Sequence, residues 1–138
     1  ELIQRLRFTH GCDILLVPSA FAMKTGEAHW STIMRGRAIE SQCYVVASAQ
    51  AGQHNEDGNK RTSWGHSIAV DPWGKVLHEL DGNEEGVRAV EISHELIKKT
   101  RLEMPLEDQR RYDVYGPCPE DLKRRRCEAS EAKDGSKM

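Results

Sequence analysis

The side chains in this sequence best equipped to attack a carbonyl carbon are its cysteines. Cys43 is the first candidate, because Glu40 and His29 lie close to it along the chain. A reactive cysteine needs a partly exposed, electropositive setting that lowers its thiol pKa from about 8.5. Cys43 instead opens the apolar run CYVVASA, where a small buried thiol packs well, and Cys12, beside Gly11 at the head of another apolar run, reads the same way. Both are expected to be structural. The four cysteines, Cys12, Cys43, Cys118 and Cys127, lack CxxC spacing, and the six histidines contain no HxxxH or HxH pair, so neither a metal centre nor a disulfide framework is expected. His29 and His66 are the histidines best placed to approach a pocket, and at each a structural hydrogen bond competes with a catalytic role. Arg37 and Glu40 stand three apart, the spacing of an ion pair on one helix face, either at the surface or within a buried or subunit-interface network.

These residues need a frame. The chain has 138 residues, 38% hydrophobic and 30% charged, with a formal net charge of -2, which predicts one modest domain. The near-neutral balance gives no general reason to expect nucleic acid or an anionic membrane as partner. No run approaches the roughly 18 apolar residues of a membrane span. The first ten residues, ELIQRLRFTH, carry scattered charges and no apolar h-region, so no secretory signal is expected and the compartment is read as cytoplasmic, with mitochondrial as the alternative.

The pattern predicts helix, strand, helix, a run of strands and a last helix. Leu2, Ile3 and Leu6 recur at helical spacing and Gly11 supplies a stop. DILLVP reads as a strand buried on both faces and ended by Pro18, followed by a loop over residues 19–26. A helix is predicted over residues 27–41, with Thr25 as its N-cap, a covered stripe of Trp30, Ile33, Met34 and Ala38, and Gly36 allowing a neighbour to approach closely. CYVVASA is a strand running into a polar loop, QAGQHNEDGNKRTSW. GHSIAVD and KVLHEL form a hairpin about the turn Asp71-Pro72-Trp73-Gly74, VRAVEI completes a third consecutive strand, and a helix capped by Ser93 runs to Pro105. An α/β domain over residues 1–116 follows, with a mixed sheet and flanking helices. Residues 117–138 are charged, with Leu122 almost their only large aliphatic, and are read as a solvated tail.

The segments PSAF, TGEAHW, RGRAIESQCYVVASAQAGQH, GHSIAVDPWGKV and PLEDQRRYDVYG, in this order and spacing, resemble the C-terminal half of the nitrilase superfamily of carbon-nitrogen hydrolases. The likeness is greatest to its Nit branch, which includes deaminated glutathione amidase and omega-amidase. ESQCYVVASAQAGQH and VDPWG favour the former. The resemblance implies half of a four-layer αββα sandwich, homodimers paired through helices, a small linear amide as substrate and no cofactor. It also implies a Cys-Glu-Lys constellation: a thiolate attacks the amide carbon, the glutamate moves protons, and the lysine steadies the oxyanion. None of the three matches a residue of this chain. The resemblance places the nucleophile a few residues before position 1, so the chain is expected to be inert alone. Its contribution is read as a substrate wall of Ser19, Ala20 and Phe21 at the carboxyl edge of a strand, with Thr25 and His29 at the next helix start. A non-catalytic interaction module and an omega-amidase acting on 2-oxo-dicarboxylate monoamides are the alternatives.

Overall fold

The computed structural model describes residues 2–55, 57, 61–82, 85–111 and 114. The proposed tail over residues 117–138 lies outside them. The chain opens with helix α1 (Leu2–Phe8), which ends as Gly11 adopts φ +71° and donates its N–H to the Arg7 carbonyl at 3.1 Å. Only a residue at ease in the left-handed region closes a helix this way. Strand β1 (Ile14–Leu16) follows, then helix α2 (Met23–Ser41) crosses over to strand β2 (Tyr44–Ala47), which lies parallel to β1 with Leu15 opposite Val45.

Strands β3 (Ala51–Gln53) and β4 (Thr62–Trp64) make a separate two-stranded ribbon. Strands β5 (Ile68–Val70) and β6 (Val76–Glu79) extend the main sheet antiparallel, giving the order β1-β2-β5-β6. Their turn is the expected one. The Gly74 N–H donates to the Asp71 carbonyl at 2.9 Å, and Asp71 Oδ1 accepts from the N–H groups of Trp73 and Lys75, each at 2.9 Å. Helix α3 (His94–Glu103) begins where Ser93 Oγ accepts from the Leu96 N–H at 3.1 Å, and a short helix α4 (Leu106–Gln109) follows Pro105.

Helix α2 covers one face of the main sheet. Trp30, Met34 and Ala38 meet Leu15, Val45, Ala47, Ile68 and Val70 in one buried cluster. Full burial of such side chains contributes about 1.5–3 kcal/mol for each large one, so this layer contact carries most of the local stability. The indole N–H of Trp30 donates to the His66 carbonyl at 2.6 Å, so the polar atom of this buried ring has its partner. At the other end of α2, Gln42 takes φ +54° and its buried side-chain amide donates to the Met104 carbonyl at 2.6 Å, tying this helix to the end of α3.

Five expectations need correction. DILLVP is not buried on both faces: Leu15 is buried, while Ile14 and Leu16 on the other face are 41% and 75% exposed, because among the described residues no layer covers that side of this edge strand. Helix α2 starts at Met23, four residues early, and Ala22 stands at its N-cap, so Thr25 is inside the first turn, its hydroxyl donating to the Ala22 carbonyl at 3.1 Å. Gly36 has no neighbouring atom within 4 Å of the place a Cβ would occupy; the close approach occurs at Gly26, against Trp64. The supposed polar loop carries β3 and β4, a ribbon whose pairing rests on backbone hydrogen bonds and leaves no alternating apolar signature. VRAVEI forms no strand: its alternation suits a ladder, yet no sheet edge among the described residues pairs with it, and Val87 stands 91% exposed.

Candidate active-site wall

The crossover from β1 through α2 to β2 sets the carboxyl ends of two parallel strands side by side. Beyond those ends the chains remain paired: the Ser19 N–H donates to the Ser48 carbonyl at 2.9 Å, and the Gln50 N–H donates to the Ser19 carbonyl at 3.0 Å. A groove of about 460 Å³ opens there, lined by Pro18, Ser19, Ala20, Ser48, Ala49 and Gln50. The carboxyl edge of parallel strands is where α/β folds collect their ligands, because backbone groups freed from the ladder converge there.

Of the residues expected to form a wall, Ser19 and Ala20 line this groove. The Ser19 hydroxyl turns back to donate to the Val17 carbonyl at 3.3 Å. Phe21 lies behind them, half-buried, its ring edge-on to Trp30 with centroids 5.1 Å apart, and its carbonyl accepts from the Trp64 N–H at 2.9 Å. Thr25 and His29 are exposed on α2 and do not line the groove. Ser48, Ala49 and Gln50 make the opposite wall; they were not among the named site residues, although the loop that begins at Gln50 reads as a rim. The signal available for them was the parallel pairing itself, which sets the residues after CYVVA beside those after DILLV.

The ribbon backs this wall. Trp64 of β4 stacks on His66 with ring centroids 4.3 Å apart, and His66 Nδ1 lies 3.3 Å from a Glu79 carboxylate oxygen. His66 is therefore held among structural partners. Arg37 Nη1 and Glu40 Oε1 pair at 2.6 Å in the open, with side chains 45% and 39% exposed, which within this chain is the surface form of that pair.

Cys43 is fully buried, its thiol 3.0 Å from the Cys12 carbonyl and 3.4 Å from the Ser41 carbonyl. Burial pushes the thiol pKa up, and hydrogen bonding with Ser41 and the guanidinium groups of Arg101 and Arg7 offset that only in part. Neither Cys12 nor Cys43 has a glutamate or lysine among its hydrogen-bond or ion-pair partners in the described residues. The groove as it stands is lined by backbone and mostly small side chains.

A parallel β-α-β unit extended by an antiparallel hairpin, with a groove at its carboxyl edge, defines an α/β protein with a mixed sheet. Residues 4–102 match the family model described as carbon-nitrogen hydrolase, and the chain belongs to that family. It is 47% identical over 103 residues to deaminated glutathione amidase of Dictyostelium discoideum, a match covering 75% of this chain and 34% of that protein. It is 46% identical over 106 residues to the human deaminated glutathione amidase, covering 77% of this chain and 31% of the relative. The crystal structure of the Caenorhabditis elegans NitFhit protein superimposes with a TM-score of 0.66 at 44% identity, over 76% of this chain and 24% of that one. The chain thus spans about one third of the length of the curated amidases it matches. The fold is the corresponding part of the nitrilase architecture.

Proposed function

We propose that this chain supplies the substrate wall of a nitrilase-type amidase that cleaves the C–N bond of a small linear amide of the deaminated glutathione kind. In this reading the thiolate, glutamate and lysine belong to sequence outside these 138 residues. The thiolate adds to the amide carbon, ammonia leaves, and water then hydrolyses the thioester. The groove between Ser19-Ala20 and Ser48-Ala49-Gln50, backed by Phe21, holds the substrate beside that thiolate, with Thr25 and His29 on the adjoining helix. Copies pair through their helices, and the setting is cytoplasmic. The single observation that carries this reading is a ligand-sized groove at the carboxyl edge of β1 and β2 in a chain whose described thiols have no acid-base partner. The 46–47% identity to deaminated glutathione amidases favours that substrate class over other amides.

The test is complementation. This chain is mixed with the separately expressed preceding portion of the Dictyostelium amidase, and ammonia release from deaminated glutathione is followed. Turnover is expected from the mixture and from neither part alone. Turnover by this chain alone, abolished in Cys43→Ala, overturns the reading. A stable but inactive complex favours an interaction module, for which the exposure of Leu16 (75%) and Val87 (91%) on the surface speaks.

A further inference from the structure

The wall of Ser48, Ala49 and Gln50 has to be held from behind, and the backbone ladder does not reach that far. On the β1 side the Val46 and Ser48 carbonyls accept from the Val17 and Ser19 N–H groups at 3.0 and 2.9 Å, and the Gln50 N–H donates to the Ser19 carbonyl at 3.0 Å. Backbone groups alternate sides along a strand, so those of Ala49 point the other way, toward β5. The β2·β5 register, with Val45 opposite Val70 and Ala47 opposite Ile68, would continue with His66 opposite Ala49. The chain leaves the ladder there. Gly65 and His66 take φ +74° and +59°, and the His66 carbonyl accepts from the Trp30 indole at 2.6 Å instead.

A side chain takes the missing place. The Ser67 hydroxyl accepts from the Ala49 N–H at 2.9 Å and donates to the Ala49 carbonyl at 3.4 Å. A hydroxyl both donates and accepts, so one small group meets both backbone groups that the ladder no longer serves. Ser67 is itself fixed, its carbonyl accepting from the Leu80 N–H at 2.9 Å, and two residues before it the Gly65 N–H donates to the Gln50 carbonyl at 3.0 Å. Behind Ala49 a cavity of about 400 Å³ opens, with Gly52, Ser67, Leu80 and Gly86 in its lining. Among the described residues, hydrogen bonding rather than packing props the wall on that side.

We propose that Ser67 is a positioning residue of the groove: its hydroxyl fixes Ala49, and through it Ser48 and Gln50, at the separation from Ser19 and Ala20 that the amide substrate requires. Ser67 does not line that groove and acts from behind it. The clasp stands on geometry alone, whereas its effect on substrate rests on the amidase reading. Removing the hydroxyl leaves the Ala49 N–H without its partner and lets the strand end slacken toward the cavity. In that reading the reacting groups lie outside this chain, so the loss falls on substrate binding more than on bond cleavage.

Two measurements keep the clasp and the amidase reading apart. Amide hydrogen exchange is followed by NMR in the full chain and in its Ser67→Ala and Ser67→Thr variants. The Ala49 amide is expected to exchange about tenfold faster in Ser67→Ala, with the Val45 and Val70 amides of the same ladder unchanged, and to recover in Ser67→Thr, which keeps the hydroxyl. Each chain is then complemented with the preceding portion of the Dictyostelium amidase, and ammonia release from deaminated glutathione gives KM and kcat. Ser67→Ala is expected to raise KM about tenfold with kcat changed less than about twofold, and Ser67→Thr to restore KM. Equal acceleration at all three amides marks a merely structural serine and overturns the proposal, as does an unchanged Ala49 amide, an unchanged KM or a loss confined to kcat. Absence of turnover in the wild-type mixture defeats the amidase reading and the substrate role drawn from it, and the exchange comparison by itself then decides the clasp.

Discussion

Cys43 shows how a residue type read from sequence acquires its meaning from its surroundings. Burial outweighs the neighbouring cations and holds its thiol pKa above the ordinary value of 9.0. The unfolded chain therefore ionises this thiol before the folded chain does. The stabilisation is fully present below the unfolded pKa and is lost as pH rises through and beyond it. Urea unfolding in reductant between pH 8 and 10 is expected to show stability falling with pH, with part of that slope missing in Cys43→Ala. An identical slope in both proteins contradicts the assignment. At this scale the sequence was legible in part: a cysteine opening an apolar strand reads as core, and it is. Pro18 ends a strand, so Ser19 and Ala20 lie past its carboxyl end, where they line the groove. Thr25 was mistaken for a cap because threonine's cap preference says nothing about whether the backbone has already turned helical at Met23.

Helix α2 carries the next scale. Its apolar stripe predicted which face would be covered, and Trp30, Met34 and Ala38 are buried as that periodicity requires, while Ile33 at 37% exposure marks the edge of the stripe. The glycine that matters was not legible. A Cβ at Gly26 would fall 2.1 Å from Trp64 Cγ and 2.3 Å from its Cβ, atoms too near the β4 backbone to swing aside. Gly26→Ala gains about 1 kcal/mol of helix propensity and loses more to overpacking. A net destabilisation on the order of 1–2 kcal/mol is expected in denaturant unfolding, with Gly36→Ala, in open space, neutral or stabilising. Equal effects at the two sites contradict this packing argument. The contact joins residues far apart in sequence, so no local pattern announces it.

In the whole molecule one sheet face is covered by α2 and the other is only partly served. Leu15 is buried under the helix while its neighbours Ile14 and Leu16, pointing the other way, are 41% and 75% exposed. Apolar side chains on an edge strand are normally covered by further structure. If the complementing portion of the amidase packs there, Leu16→Glu leaves the stability of this chain within about 0.5 kcal/mol and abolishes restored turnover. Undiminished turnover places the docking face elsewhere. Among the described residues no helix is long and apolar enough to cross a membrane.

The sequence by itself determined the order of the principal elements, the β1-α2-β2 crossover, the Asp71–Gly74 turn and the family, because each rests on periodicity, turn chemistry or motifs written in adjacent residues. Tertiary structure alone decided that Ser48-Ala49-Gln50 faces Ser19-Ala20, that β3 and β4 pair behind that wall, and that VRAVEI joins neither sheet among the described residues. Those outcomes depend on which distant backbone offers a partner, and strand propensity does not encode the partner's presence.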